Sequence, residues 1–442
     1  MSPRLPWRPA ERRGLRLWPV GIVLVLAFST AVLVAASVFY AGWDLLGARE
    51  LKPERRIDSK TLFELVKLAF GVVAGAGALV ALVVAYRRQR VDEDGALRDA
   101  TRLHTERFTT AVSQLGDESV AVRLGGVHAL AGLADDAPNR GLRQTCIDVL
   151  CAYLRLPYTA EADLPSDDAE ARHTYLSLRE VRHTVIRLIR DHLRLPPEHH
   201  HSWQGHDFDF TSVAFDGADF SLAVFSGGTV SFSSAVFSGG TVSFSNAVFS
   251  GGTVNFGGST FSGSTVNFGG STFSGSRVDF VESTFSGGMV DFIRSTFSGG
   301  TVNFAGSTFS GSRVDFVEST FSGGTVDFIR STFSGGTVNF AGSTFSGSRV
   351  DFIMSRFSGG TVDFNGSTFS GGTVYFNGSS FSGGAVGFVR STFFGSTVNF
   401  SMSTFSGGTV DFTNAAGSAP IALTPAAGSP LPQGLLVPPA WI

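Results

Sequence analysis

Residues 210–225 read FTSVAFDGADFSLAVF and residues 225–236 read FSGGTVSFSSAV, and the spacing of phenylalanine in these stretches decides the fold. Phe210, Phe215, Phe220 and Phe225 stand five apart. From Phe225 to Phe405 one Phe then recurs every 12 residues, sixteen times, and a second series runs in the same step from Phe232 to Phe412. The spacings therefore alternate seven and five, so each 12-residue unit is one short face and one face enlarged by two residues, usually Gly-Gly or Gly-Ser. In MVDF, Val290 and Phe292 share one side of an extended segment while Asp291 faces the other, because successive strand side chains alternate. Ala235 with Phe237, and Ser271 with Phe273, take the same inward pair of places on the other face. Glycine serves the sharp corners. The chain holds 42 Phe and 54 Gly against 5 Trp and 6 Tyr, a skew that internal repetition produces.

A 12-residue loop is too small to enclose two phenylalanines, so two units are expected per coil, about 24 residues, with unit n stacked on unit n+2. Stacking in this register sets Arg294 above Glu318 and lines Asp279, Asn303, Asp327 and Asp351 along one outer face. The sixteen units make about eight coils, a rod about 40 Å long at a strand spacing of about 4.8 Å. The segment SGSRVDF recurs after Phe273, Phe309 and Phe345, a 36-residue step that reads as duplication of three units at once.

The Phe210–Phe225 register resembles the pentapeptide-repeat family. The resemblance implies a right-handed β-helix over 207–412, with Phe210, Phe215, Phe220, Phe225, Phe232, Phe237, Phe244, Phe249 and Phe256 beginning its inward ladder. The 5+7 alternation departs from the strict pattern. Some family members mimic duplex DNA and act on topoisomerases, which needs dense acidic stripes. Between Asp207 and Asp411, 13 acids face 7 arginines, a net charge of −6, which is thin for such mimicry.

Upstream, VGIVLVLAFSTAVLVAASVFY (20–40) has no charged residue and is flanked by Trp18 and Trp43, the length and edge chemistry of a spanning helix. A second apolar run, Leu68–Tyr86, ends at Arg87, Arg88 and Arg90. The reading is a basic cytoplasmic N-terminus (1–18), transmembrane helices at 19–41 and 67–86 joined by a short charged loop (42–66), and a plasma-membrane protein with both termini inside. Gly71 and Gly75 form GxxxG, a spacing that packs the hairpin on itself or joins two copies; a homodimer through these glycines or through the rod end is the oligomer this suggests. The GAG at Gly75–Gly77 lacks the strand–turn–helix context of a nucleotide site.

Residues 92–195 show apolar spacings of three and four, as in Leu124, Val127, Leu130 and Leu133, and predict a small α-helical domain. One stretch, SVAVRLGGVHALAGLADDAP, resembles a single HEAT-type unit weakened by Gly125 and Gly126. Arg182, Arg187, Arg190 and Arg194 recur on one side of its last helix and are expected to face solvent or anionic headgroups. Cys146 and Cys151 read as buried thiols, since their spacing suits neither a redox pair nor zinc. Residues 196–206, with His199, His200, His201 and His206, are expected to be a solvated linker with no metal site, and 413–442 a disordered Pro/Ala/Gly tail, the alternative being that its Leu435, Leu436 and Val437 cover the open end of the rod and hide unpaired strand edges.

The repeats contain no His, Cys or Lys, so no converging acid–base groups are foreseen. The expectation is a multi-domain, non-enzymatic scaffold tethered to the membrane, binding an unknown protein partner and using no cofactor, metal or direct nucleic-acid contact. Asp279, Asp315, Asp327 and Asp351 are the candidate partner surface. A topoisomerase modulator, or with reversed topology a cell-surface adhesive rod, is the alternative. A Thr array at Thr229, Thr241 and Thr253 is the pattern of an ice- or surface-binding face, against which the membrane hairpin argues.

Overall fold

The computed structural model describes residues 20–45, 58–161, 164–165, 168–419, 431 and 433–441. The expected N-terminal segment 1–18, most of the loop 42–66 and part of the tail lie outside these residues. The chain divides into two units, 1–102 and 103–442.

The first unit holds helix α1 (Val20–Leu45) and the start of α2 (Ser59–Leu115). Large apolar side chains stand open along both, among them Val25, Phe28, Leu33, Leu68, Phe70 and Leu82. Two α1 hydroxyls turn back on their own helix: Thr30 donates to the Leu26 carbonyl and Ser37 to that of Leu33, each at 2.8 Å. A Cβ added at Gly71 or Gly75 would meet nothing within 4 Å. Among the described residues no helix is long and apolar enough to cross a membrane. The two-span hairpin is thus not shown, and both expected spans include residues whose side chains lie outside the described set.

In the second unit the end of α2 packs with α3 (Val120–Asp135), α4 (Arg140–Leu154) and α5 (Ala169–Arg194). Asn139 and Asp168 cap α4 and α5, their side-chain oxygens accepting the Leu142 and Ala171 N–H groups at 2.9 Å. Val127, Leu130, Ile147, Leu150, Val185 and Ile189 are fully buried. Gly126, which weakens the sequence pattern, is needed by the packing: a Cβ there would lie 2.6 Å from the Leu115 backbone nitrogen. The two cysteines are free and buried among these helices, and burial pushes their thiols up to about 11 and about 12, leaving them unreactive.

The solenoid follows. Four parallel sheets form its sides: face A from Phe208–Asp209 to Thr397–Asn399, face B from Ala214–Phe215 to Thr404–Phe405, face C from Ala218–Asp219 to Thr409–Asp411, and face D from Val224–Ser226 to Ala416–Gly417. The coil is 24 residues: Val278 pairs with Val302 and Phe273 with Phe297. The strict pentapeptide stretch makes the first coil shorter on two faces, where Phe208 pairs with Val230 and Ala214 with Val236, 22 residues on. That coil lies ahead of the sixteen 12-residue units and adds a ninth strand to faces A and B, while on face D the ninth strand is Ala416–Gly417, beyond the last unit; eight coils were expected.

Phenylalanine fills the interior in four columns. Successive rings stack at 4.7 Å in Phe256–Phe280, Phe261–Phe285 and Phe268–Phe292, and at 4.8 Å in Phe273–Phe297. Two columns meet edge to face across the axis, as Phe256 meets Phe268 at 5.9 Å. The small inward residue adds a bond between coils. Ser259 Oγ donates to the Phe232 carbonyl at 2.6 Å, and Ser271, Ser319 and Ser367 donate to Phe244, Phe292 and Phe340 at 2.7 Å. Each hydroxyl is thereby satisfied inside the core, as a buried polar group must be. The Gly-Gly corner has two separate causes. Gly299 adopts φ +69°, and a Cβ on Gly300 would lie 2.4 Å from the Ser276 carbonyl oxygen of the coil below.

Both ends of the rod are covered. Helices α4 and α5 lie against the first coil. At the other end Leu435–Leu436 adds a tenth strand to face C, pairing with Val410–Asp411. The Trp441 ring sits on Phe393 and Phe412 at 5.9 and 5.5 Å, and its Nε1 donates to the Gly417 carbonyl. The segment expected to be disordered thus supplies two strands, Ala416–Gly417 and Leu435–Leu436, and an aromatic lid, which is the alternative of a covered rod end. The rod end is also a poorer edge for a second copy than expected, since a strand and a ring already occupy it.

Candidate interaction surface

Three of the four acids of the first coil, Asp209, Asp216 and Asp219, are committed to the helical domain. Arg155 pairs with Asp209 and Arg190 with Asp219. Asp207 Oδ1 accepts the Thr229 N–H at 2.7 Å. Asp216 takes the Tyr158 and Tyr175 hydroxyls on Oδ2 at 2.6 and 2.7 Å, with His183 and Arg179 at 3.8 and 3.9 Å. Burial works against the Asp216 charge, but the nearby His183 and the hydrogen bonds from Tyr158 and Tyr175 overcome it and hold the carboxyl at about 2. Arg182 is buried, stacks over Tyr158 at 4.1 Å, and donates to the Leu154 and Ala214 carbonyls. Arg194 donates to the Ser221 carbonyl at 2.7 Å.

The arginine stripe of α5 is therefore in large part a docking face for the solenoid: Arg182 is buried and Arg190 half-buried, while Arg187 and Arg194 are exposed, Arg194 still bonded to the first coil. Residues 196–200 are exposed, as expected of a solvated linker, but the same correction applies to 201–206. Trp203 is fully buried and His206 nearly so, while Arg143 donates to the carbonyls of Ala134, Asp135, His200 and Ser202. The second half of the segment is a packed joint, and Trp203 was the signal for it: a lone indole in a polar stretch is costly to leave in water. No group of three or more potential metal ligands occurs among the described residues.

Removing the four first-coil acids from the 13 leaves nine against seven arginines, a net charge of −2 for the rest of the rod. These charges are sorted by face. On face A, Asp279, Asn303, Asp327 and Asp351 stack in register; on face C, Asn267, Asp291, Asp315 and Asn339 do. Faces B and D show mainly Thr and Ser. Of the earlier Thr array, Thr229 and Thr253 pair on face A whereas Thr241 lies on face C.

Two of the candidate partner residues are not presented outward. The Asp315 and Asp351 side chains are only 2 and 3% exposed, because Arg313 and Arg349 fold back on them at 2.5 and 2.6 Å. Asp279 lies under Arg277 in the same way at 2.6 Å. Asp327 is half-buried and turns Oδ1 to the Ile329 N–H at 2.7 Å. Burial pushes the carboxyls of Asp327 and Asp351 up. What these sites show to solvent is the guanidinium, half or more exposed at Arg277, Arg313 and Arg349. The corners add features that escaped sequence reading. Val281, Ala305, Ile329 and Ile353 make a half-buried apolar rib up one edge, flanked by Glu282 and Arg330. On the opposite edge Ile293 and Val317 sit beside Arg294 and Glu318, which pair at 2.8 Å. The nine Phe residues assigned to the ladder, Phe210 to Phe256, are all buried.

Residues 210–254 match the family model for pentapeptide repeats (9 copies). The match and the four-sided solenoid are together consistent with a pentapeptide-repeat protein. The matched stretch covers the strict fivefold spacing and the first 5+7 units; the later units stack on the same four columns. No curated protein and no solved structure matches the chain. Pentapeptide-repeat solenoids are generally structural or interaction scaffolds.

Proposed function

We propose that this protein is a non-enzymatic scaffold, tethered to the plasma membrane by two helices, whose rod offers its long sides to a protein partner in the cytoplasm. The observation that carries the scaffold reading is the covering of both rod ends, by the α4–α5 face and by Leu435–Trp441, which leaves the lateral faces as the free surface. Partner contact is assigned to the Arg277, Arg313 and Arg349 guanidinium groups and the two apolar ribs, in place of the covered carboxylates. The tether rests on the uncharged run 20–40 and the open apolar side chains of α1 and α2, surfaces that water does not favour. Gly71 and Gly75, open on their helix, suit a homodimer.

Alkaline carbonate extraction of membranes tests the tether: the chain stays in the pellet, and its release into the supernatant overturns it. Protease added to intact cells and to inside-out vesicles, followed through a C-terminal tag, tests the side. Loss of the tag in vesicles alone supports a cytoplasmic rod. Loss in intact cells reverses the orientation and favours an adhesive role.

A further inference from the structure

His192, near the end of α5, has both ring nitrogens against oxygen acceptors. Nδ1 lies 2.6 Å from the Leu188 carbonyl oxygen and Nε2 lies 3.0 Å from Asp135 Oδ2. A neutral imidazole carries one N–H and satisfies only one of these contacts. The carbonyl oxygen has no proton to give. Burial opposes the Asp135 charge, but the bonds from His192 and Trp203 and the nearby His201 outweigh it and keep this carboxyl below its ordinary range. Both contacts are satisfied together only when both imidazole nitrogens are donors, that is, when the ring is the cation. The Trp203 ring stacks on it at 4.1 Å, while the Trp203 Nε1 donates to Asp135 Oδ1 at 3.1 Å.

One carboxylate and one imidazolium thus join the end of α3, helix α5 and the segment that enters the first coil. We infer that His192 is a pH-operated latch on this joint: with its proton, it holds Trp203 and Asp135 in place, and proton loss sets a nitrogen lone pair against an acceptor oxygen and frees the segment. The charged and titratable groups around it are Asp135 from α3, Arg143 from α4, His201 from the joint, and Arg190, Asp191 and Arg194 on α5 itself. His201 Nδ1 lies 3.8 Å from Asp135 Oδ2, and Asp191 is held by Arg190 and Arg194 at 2.9 and 4.0 Å.

Burial of His192 disfavours its charge, yet the bonds to Asp135 and Leu188 and the charges of Asp135 and Asp191 prevail and hold its pKa above the ordinary 6.5. A histidine raised by folding contributes its full stabilisation below the unfolded value and loses it as pH climbs through the folded one. The latch is closed in acid and opens on the alkaline side. His206, at the same joint, behaves oppositely: burial, then Arg140 and Arg143, push it down to about 4, so it does not titrate in this window.

The test uses the full chain with Trp7, Trp18, Trp43 and Trp441 replaced by Phe, so that emission reports Trp203 alone. A stacked imidazolium quenches indole. Between about pH 6 and 9, emission rises in one step with its midpoint above about 6.5, and hydrogen exchange of 196–206, corrected for intrinsic rates, rises with it. His192→Gln abolishes the step. Asp135→Asn, the check if His192→Gln fails to fold, moves the midpoint down. Absence of the step, a midpoint at or below the ordinary histidine value, or a step retained in His192→Gln overturns the latch.

Discussion

Truncating one ring in the middle of the rod measures how the solenoid is held together. Phe304 is fully buried and stacked between Phe280 and Phe328 at 4.7 and 4.8 Å. It also meets Phe285 and Phe309 at 6.0 and 6.1 Å, tilted, and Phe316 edge to face at 6.1 Å. A buried Phe→Ala change costs about 3 to 5 kcal/mol. Closely packed rings, each worth about 0.5 to 1.5 kcal/mol beyond area, place Phe304→Ala at the upper end. Because each coil touches only its neighbours, the loss stays local. Hydrogen exchange across the rod is the assay. Protection falls by about 4 to 5 kcal/mol in the coils that hold Phe280, Phe304 and Phe328 and much less near Phe232 and Phe400. The internal comparison is Ser307→Ala, which removes the donor to the Phe280 carbonyl at 2.6 Å; that oxygen keeps the Ser283 N–H at 3.2 Å, so the cost is about 1 kcal/mol. A Phe304→Ala effect no larger than that of Ser307→Ala, or one spread evenly along the rod, refutes the stacked-column account.

Arg182→Met removes two buried charge-assisted bonds and leaves the Leu154 and Ala214 carbonyls short of a donor, loosening α5 from the first coil by about 3 kcal/mol in chemical denaturation. Asp216 is depressed to about 2 by the nearby His183 and its hydrogen bonds with Tyr158 and Tyr175. Its contribution is therefore complete above the unfolded carboxyl value near 3.9 and fades as pH falls toward 2; Asp216→Asn flattens the acid limb of a stability–pH curve. Trp441→Ala uncovers Phe393 and Phe412, so exchange rises in the last coil and the rod self-associates in light scattering.

The register was legible because phenylalanine tolerates no error of phase: a one-residue slip would turn every ring outward. Arg294 meets Glu318, and the Asp279–Asp351 column stacks, as 24-residue arithmetic demands. Which way a side chain bends was not legible. Asp315 and Asp351 sit on outward positions of their strands, but an arginine two residues earlier reaches across and covers them. The same limit hid the arginines of α5, whose helical spacing reads alike whether the stripe meets water or a first coil of matching acids. Leu435 and Leu436 joined face C through a contact with Val410 and Asp411 that no local pattern announces. The apolar ribs escaped notice because Val281, Ala305, Ile329 and Ile353 are 24 residues apart and become neighbours only on stacking.

The central structural claim is that unit n rests on unit n+2 in a four-sided coil, and paired cysteines test it most directly. Thr301 and Thr325 are partners on adjacent strands of face A, whereas Arg313 lies on face C. The natural cysteines are buried and unreactive and do not interfere. Under mild oxidation, Thr301→Cys with Thr325→Cys forms an intramolecular disulfide and Thr301→Cys with Arg313→Cys forms none. A disulfide between positions 301 and 313, with none between 301 and 325, would mean a 12-residue coil and would contradict the account.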